Sequence, residues 1–399
     1  MGIETVKCVI GANFGDEGKG LMTDYFAGRG GLMKKKIVVL HNGGAQRGHT
    51  VVTPEGYRHV FHHFGSGTYA GADTYMSEDF IVNPCLFRQE MEKFERHMPT
   101  TKIFINGKCK LTTIYDMLIN QAIEADRGVA KHGSCGVGIF ETLYRNQHGV
   151  KFANEFDINP LAMTVGEFAS LNAISKMDFL TYIKNWYVGK RFDIFGLKNL
   201  PKELEMVLAS PQVIVNFIDD FEFMLRHARI VHDDILNDYE LVIFESGQGL
   251  LLDQNNMDYF PHLSPSNTGL ENPSKILAGI GYTGTVEACY VSRTYMTRHG
   301  KGRFDTECAK NLINPNMVDM TNVPNPFQDE LRYGIMDWED LLVRVSKDLG
   351  NFGGNFITLP SIAITHMNEF GRAIPMDELE QYAHLYLSFG MTRKEVWSR

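Results

Sequence analysis

The densest chemistry in the sequence lies in residues 9 to 24, "VIGANFGDEGKGLMTD". Gly15, Gly18 and Gly20 let backbone amides approach an anion closely, and Lys19 brings a positive charge to the same place. The common phosphate loop, G-x-x-x-x-G-K-[S/T], is not met. Asn13 stands at its first glycine position, and Gly20 follows Lys19 where a magnesium-binding hydroxyl would be. An acidic pair, Asp16-Glu17, sits inside the loop instead. A carboxylate there repels phosphate unless it binds Mg2+ or handles a proton; otherwise the stretch is a Gly-rich turn with a solvated acidic pair.

Four more segments have types and spacing that suit ligands. "HNGGAQRGHTVV" (41–52) follows an apolar run and places His49 in a Gly-rich loop, where it could serve as an acid or steady a phosphate. "KHGSCGVGIFETLYR" (131–145) contains an anion-nest pattern with hydroxyl and amide donors. "FESGQGLLLDQNNMDYFPHLSPSNTG" (244–269) sets Gln248 between glycines, able to read the edge of a base or an amide. It also carries polar Ser264, Ser266, Asn267 and Thr268, which bind phosphate or cap a helix. "SRTYMTRHGKGRFDTE" (292–307) gathers Arg298, Lys301 and Arg303, as an anionic substrate or a solvated basic face would require. Each segment alone also fits a plain loop.

These segments need a frame. "VKCVI" (6–10), "KIVVL" (36–40), "KIFI" (102–105), "LVIF" (241–244), "EACYV" (287–291) and "NFITL" (355–359) read as buried strands of a largely parallel sheet. Amphipathic stretches at 85–98 and 113–128 alternate with them, which predicts an α/β, P-loop-like fold with helices flanking the sheet. Residues from roughly 155 to 235 read as a mostly helical subdomain within one folded unit spanning 1–399. In such sheets ligands bind at the carboxyl ends of the strands, where the five segments fall.

The bulk composition narrows the classes. A formal charge of -9 disfavours a nucleic-acid binder. The six cysteines form no C-x-x-C pair, so zinc and a disulfide framework are not expected. The opening residues lack a signal-peptide pattern, and no run of about 18 apolar residues occurs, so a cytoplasmic protein that spans no membrane is expected (in the host cytoplasm if the source is viral).

Taken in order, the motifs resemble the adenylosuccinate synthetase family. The family's W-G-D-E-G-K-G is similar to Phe14–Gly20, and its G-G-x-N-A-G-H-T to Gly43–Thr50, with Arg47 at the alanine. Its G-T-T-G-R-G-I-G is similar to residues 133–139, with Cys135 at a threonine. Its F-E-G-A-Q-G-x-L-L-D is similar to Phe244–Asp253, its Y-P-x-V-T-S-S-N-T to Phe260–Thr268, and its S-T-R-V-G-A-G-P-F-P-T-E to Met296–Glu307. The match fades after about residue 310.

The resemblance implies a carbon–nitrogen ligase of purine nucleotide biosynthesis. A nucleoside triphosphate phosphorylates O6 of a 6-oxopurine nucleotide, and the amine of L-aspartate displaces the phosphate. It implies Asp16 as general base and Mg2+ ligand, His49 as the acid, Lys19 on phosphate, and the Gly48 carbonyl as a second metal ligand. Gly15, Glu17, Gly18, Gly20, Gly48, Thr50, His366 and Asn368 would meet the triphosphate nucleotide. Asn13, Gln46, Ser134, Cys135, Gln248 and Ser264 would surround the purine nucleotide. Thr297, Arg298, His299 and Arg332 would meet the amino acid. A homodimer is implied, with Arg145 a candidate to cross it.

Two departures refine this. The family's T-K-L-D is met by Thr365-His366-Met367-Asn368. Asn offers one acceptor and one donor, which suits adenine, so ATP or dATP is expected in place of the family's GTP. The amino-acid loop T-T-T-G-R-x-R-R-x-G-W-L-D becomes "NPFQDELRYGIMD" (325–337), keeping Arg332 but placing Asp329 and Leu331 at basic positions. Arg298, Lys301 or Arg303 would have to compensate. The phage 2-aminoadenylosuccinate synthetases share a "GFG"-like ending, similar to Ser388-Phe389-Gly390, but replace the loop aspartate that Asp16 retains. IMP is therefore the expected acceptor, ahead of dGMP or GMP. A nucleotide-binding protein that has kept the fold and lost the reaction is the alternative of a different class.

Overall fold

The computed structural model describes residues 2–29, 35–94, 100–128, 134–148, 161–197, 200–316, 331–369 and 374–399. The six apolar runs form the strands Thr5–Gly11, Lys36–Leu40, Ile103–Asn106, Leu241–Gly249, Thr285–Arg293 and Ile357–Thr365. Four shorter strands join them, Asp73–Met76, Ala228–Val231, His384–Ser388 and Val396–Ser398. From edge to edge the order is Val396–Ser398, His384–Ser388, Ile357–Thr365, Thr285–Arg293, Thr5–Gly11, Leu241–Gly249, Lys36–Leu40, Asp73–Met76, Ile103–Asn106, Ala228–Val231. Neighbours pair in parallel except the edge strand Val396–Ser398, which is antiparallel to His384–Ser388.

Both faces of the sheet are covered, which explains why the strands read as continuous apolar runs. Along the central strand, Val6, Cys8 and Ile10 pack with Val242, Phe244, Val286 and Ala288 on one face. Val9 packs with Val38, Leu40, Ile243 and Val291 on the other. Each buried valine, leucine, isoleucine or phenylalanine among them contributes about 1.5–3 kcal/mol by leaving water, so the strand register is strongly set.

The helical stretch runs from Val165–Ser170 to Gln212–His227. It is clamped to the sheet's helices by buried Arg191, whose guanidinium donates to both Glu141 oxygens at 2.7 and 2.8 Å. Arg88 adds an ion pair to Asp219 at 2.6 Å. The expected limit of 235 overshoots. Ala228–Val231 pairs with Ile103–Asn106 and so belongs to the sheet. Residues 151–160 lie outside the described residues.

Candidate active site

The parallel strands bring their carboxyl ends to one side, and four of the five motif loops leave from there. They follow Thr5–Gly11, Lys36–Leu40, Leu241–Gly249 and Thr285–Arg293, and the turn at 366–369 follows Ile357–Thr365. The chain changes direction about the central strand, whose neighbours are Leu241–Gly249 and Thr285–Arg293. A crevice at such a place is where doubly wound sheets hold ligands.

The first loop is braced from within. Glu17 is buried; its Oε1 accepts from the Asn13 amide at 2.5 Å, and Lys19 Nζ lies 3.6 Å from Oε2. Burial pushes the Glu17 carboxyl up, opposed by Lys19 and the amide hydrogen bonds. The side chain therefore braces the loop from within. Lys19 opens the helix Lys19–Arg29, so its charge sits at a helix N-terminus. Gly18 has φ +96°, and a Cβ there would lie 2.9 Å from Thr365 Cγ2, so only glycine fits. Asn13 is held by Arg344, which donates to its Oδ1 at 2.6 Å, and Asn13 donates in turn to Ser292 Oγ at 3.0 Å.

Asp16 differs from Glu17. It takes φ +58°, its side chain is 31% exposed, and His299 Nε2 lies 3.2 Å from its Oδ2. Arg293 Nε donates to its carbonyl at 2.5 Å. The carboxylate therefore stands at the loop's mouth beside the fifth motif. Cys135 belongs to the same neighbourhood: burial, then the charge of Asp16, pushes its thiol up to about 11. Ser134 Oγ accepts from Asn120 Nδ2 at 3.0 Å, which fixes that loop to the helix Ile114–Arg127. Gly133 lies outside the described residues.

His49 begins a hairpin, His49–Val52 with Arg58–Phe61, in which Thr50 faces Val60. Its Nδ1 lies 2.7 Å from Glu245 Oε1 and 2.7 Å from Arg47 Nη2, while Arg47 Nη2 lies 2.6 Å from Glu245 Oε2. All three side chains are buried. Burial and then Arg47 pull His49 down to about 4, so it is a neutral imidazole near pH 7. Glu245 stays ionised: the charge of Arg47 leads the effects that outweigh its burial. A neutral imidazole satisfies only one of the two partners at Nδ1. With Nδ1 accepting from Arg47, Nε2 carries the proton and can donate into the site; with Nδ1 donating to Glu245, it cannot. Beneath the loop, His62 Nδ1 lies 3.1 Å from the Ala45 carbonyl and also contacts that of Arg47. Gly48 is exposed at the turn.

Gln46 keeps a buried Oε1 with no hydrogen-bond partner. Gln248, at φ +65°, lies against Gly15 and is the next-to-last residue of its strand. Ser264 is half-buried and its amide donates to the Leu252 carbonyl at 2.9 Å.

The expected amino-acid residues meet in a small antiparallel sheet that pairs Thr297 with Tyr333 and Arg298 with Arg332. Thr297 Oγ1 and Arg298 Nε are buried without hydrogen-bond partners. The Arg298 guanidinium donates to the Arg303 and His262 carbonyls and lies 4.4 Å from the Phe14 ring. Burial, then the charge of Arg332, pulls Arg298 down to about 10. Arg332 is already engaged: it donates to Glu307 at 2.8 and 2.5 Å and to the Gly302 carbonyl at 2.9 Å. Leu331 is buried against Tyr295 and Tyr333, and Asp329 lies outside the described residues. At the far strand, His366 takes φ +60° and Asn368 is exposed on the turn.

One expectation fails. Arg145 is fully buried, bonded to Asp116 at 2.9 Å and to the Leu111 carbonyl at 2.6 Å, so it cannot reach a second subunit. The sequence reading also missed Arg47, Glu245, Arg293 and Arg344 as members of the site. Glu245 had a signal, since a carboxylate closing an all-apolar strand requires a buried partner.

The fold and the site define an α/β protein whose first strand ends in a glycine-rich loop that contains a carboxylate. The sequence profile of adenylosuccinate synthetase matches residues 8–331, and the chain belongs to that family. The adenylosuccinate synthetase of Trichodesmium erythraeum is 30% identical over 319 residues, 78% of this chain and 65% of that protein. That of Mycobacterium sp. strain KMS is 29% identical over 307 residues, 75% of this chain and 64% of that protein. The chain thus spans just under two thirds of the length of these relatives. Among solved structures, fully ligated adenylosuccinate synthetase from Plasmodium falciparum matches with a TM-score of 0.66 and 17% identity, covering 92% of this chain and 77% of that one. Succinoaminodeoxyadenylate synthetase of cyanophage S-2L, bound to dGMP and dATP, matches with a TM-score of 0.59 and 12% identity, covering 99% and 95%.

Proposed function

We propose that the protein is an adenylosuccinate synthetase-type ligase that joins L-aspartate to IMP at the expense of a nucleoside triphosphate. The observation that carries this reading is Asp16. Within one loop, Glu17 is turned inward as a brace while Asp16 is held outward at the mouth. Binding phosphate alone requires no such carboxylate. Removal of the purine N1 proton by Asp16 puts charge on O6, which then attacks the terminal phosphoryl group. Lys19 and the loop amides take the phosphate charge, and His49 donates from Nε2 when Arg47 occupies its Nδ1. The amine of L-aspartate then displaces the 6-phosphate.

Among the described residues no three His, Cys, Asp or Glu side chains gather to hold a metal ion. This fits Mg2+, which prefers oxygen and keeps few protein ligands beside substrate phosphates. The Asp16 carboxylate and the Gly48 carbonyl would hold it, and its chemistry would be neutralisation of phosphate charge.

Exposed Asn368 supports ATP or dATP as donor. The protein acts as a homodimer, with no crossing role for Arg145, in a cytoplasmic setting. Among the described residues no helix is long and apolar enough to cross a membrane.

The test is a phosphate-release assay with Mg2+ and L-aspartate, crossing IMP, dGMP and GMP against GTP, ATP and dATP. Aspartate-dependent release with IMP and ATP or dATP is expected. Release only with dGMP or GMP would overturn the acceptor; no release in any combination would leave a nucleotide-binding protein without the reaction.

A further inference from the structure

Two hydrogen-bonded bridges connect the turn at 366–369 with the phosphate loop. In the shorter one, Thr365 Oγ1 donates to the Glu17 carbonyl at 2.7 Å. The longer one passes through three side chains. Arg293 Nε donates to the Asp16 carbonyl at 2.5 Å, and Arg293 Nη1 donates to Tyr295 Oη at 2.8 Å. Tyr295 Oη in turn donates to Glu369 Oε2 at 2.6 Å. Every donor and acceptor role in this chain agrees: a guanidinium only donates, a phenol accepts and passes on its own hydrogen, and a carboxylate accepts. Arg293 and Tyr295 are each 3% exposed, so water competes little for these bonds.

The two ends of the bridge matter for the proposed reaction. At one end is Asp16, held at φ +58°, which a residue with a Cβ rarely adopts. At the other is Glu369, the neighbour of Asn368 on one short turn. His366, also at positive φ, is fixed within that turn by Thr365 Oγ1, 2.8 Å from its Nδ1. Asp16 and His366 thus place one positive-φ residue near each end of the bridge.

We propose that Arg293, anchored by Tyr295 and Glu369, is a positioning residue that ties the seating of the nucleotide base at Asn368 to the placement of the Asp16 carboxylate. A triphosphate whose base orders the turn thereby also fixes Glu369, Tyr295 and Arg293, and through them the carbonyl of Asp16. The loop then presents its carboxylate in one orientation when the donor nucleotide is in place. This inference rests on the proposed reading of Asp16 and Asn368. The competing account is that Tyr295 only packs against Leu331 and Tyr333.

Tyr295→Phe separates the two, because it keeps the ring and removes the hydroxyl that joins Arg293 to Glu369. Glu369→Leu breaks the same chain from its other end, at a half-buried position where folding is less at risk. Two quantities are read in the full chain: amide hydrogen exchange without ligands, and kcat beside the Kd for ATP. Each variant should speed exchange of residues 14–18 by roughly fivefold, with the strands Thr5–Gly11 and Thr285–Arg293 unchanged. Each should lower kcat about tenfold while the Kd for ATP stays within about twofold. Unchanged exchange at 14–18 would overturn the proposal. Faster exchange that extends into those strands would overturn it too, as loss of packing. If the wild type shows no turnover in any substrate combination while loop exchange responds as expected, the proposed reaction falls and the structural tie remains.

Discussion

The site has two halves that treat charge differently. Around His49, Arg47 and Glu245 are fully buried and bonded to each other at 2.6 Å. Around the expected amino-acid site, Arg332 pairs with Glu307 across a surface where their side chains are 26% and 44% exposed. Buried pairs are costly to open because a lone charge is left in a poor solvent. An exposed pair is worth little and exchanges partners readily. The half that would handle phosphate is therefore built in advance. The half that would receive L-aspartate keeps buried Arg298 on backbone carbonyls and parks the Arg332 guanidinium on a local carboxylate, which a substrate carboxylate can replace.

The strongest test of that contrast is Asp16→Asn. Turnover should fall by about 10²–10⁴-fold while nucleotide binding by titration survives, since the loop amides and Lys19 remain. Undiminished turnover would remove the carboxylate from the chemistry. Next is Arg47→Ala, which removes the cation from buried Glu245 and leaves it only the His49 ring and the Ser66 amide. It should lose about 3–5 kcal/mol of stability by urea unfolding, and adding Glu245→Gln should restore much of it.

A smaller effect comes from below the His49 loop, where the His62 and His63 amides donate to Glu90 at 2.9 and 2.7 Å. Burial pushes the Glu90 carboxyl up, but hydrogen bonds from His59 and His63 and the charge of nearby histidines outweigh it and hold the group at about 2. A carboxyl lowered in the fold adds stability that is present above its unfolded value of 4.5 and is lost as pH falls towards 2. Glu90→Gln should flatten that acid limb of the unfolding free energy, read by urea titration at each pH, by about 3 kcal/mol. The least effect on stability, about 0–1 kcal/mol, is expected for Glu307→Gln. Its signature is kinetic: Arg332 is released and the KM for L-aspartate falls. A stability loss as large as that of Arg47→Ala would erase the distinction between the halves.

Much of this was legible in the sequence, because some signals are local. Apolar runs of strand length followed by glycines mark loops at strand ends, and the order of "GDEGKG", "GGAQRGHT" and "FESGQG" carries the family. Short strands such as Ala228–Val231, half-exposed at the sheet edge, carry too little pattern to be told from the helix before them. The limit of the helical stretch was misplaced for that reason.

The sequence by itself determined the fold class, the glycine-rich first loop and the kinds of residue within reach of it. Only the tertiary structure decided how the charges are used. Glu17 and Asp16 are adjacent and chemically alike, yet one is buried against Asn13 and Lys19 while the other faces His299. Arg47 meets Glu245, and Arg293 meets Asp16, across separations of 198 and 277 residues. Arg145, which its neighbours in the chain leave free to cross a dimer, is locked onto Asp116 in the interior. The physical reason is desolvation: a charge removed from water takes whichever partner the sheet register places beside it. That register is a property of the assembled core, not of any one segment.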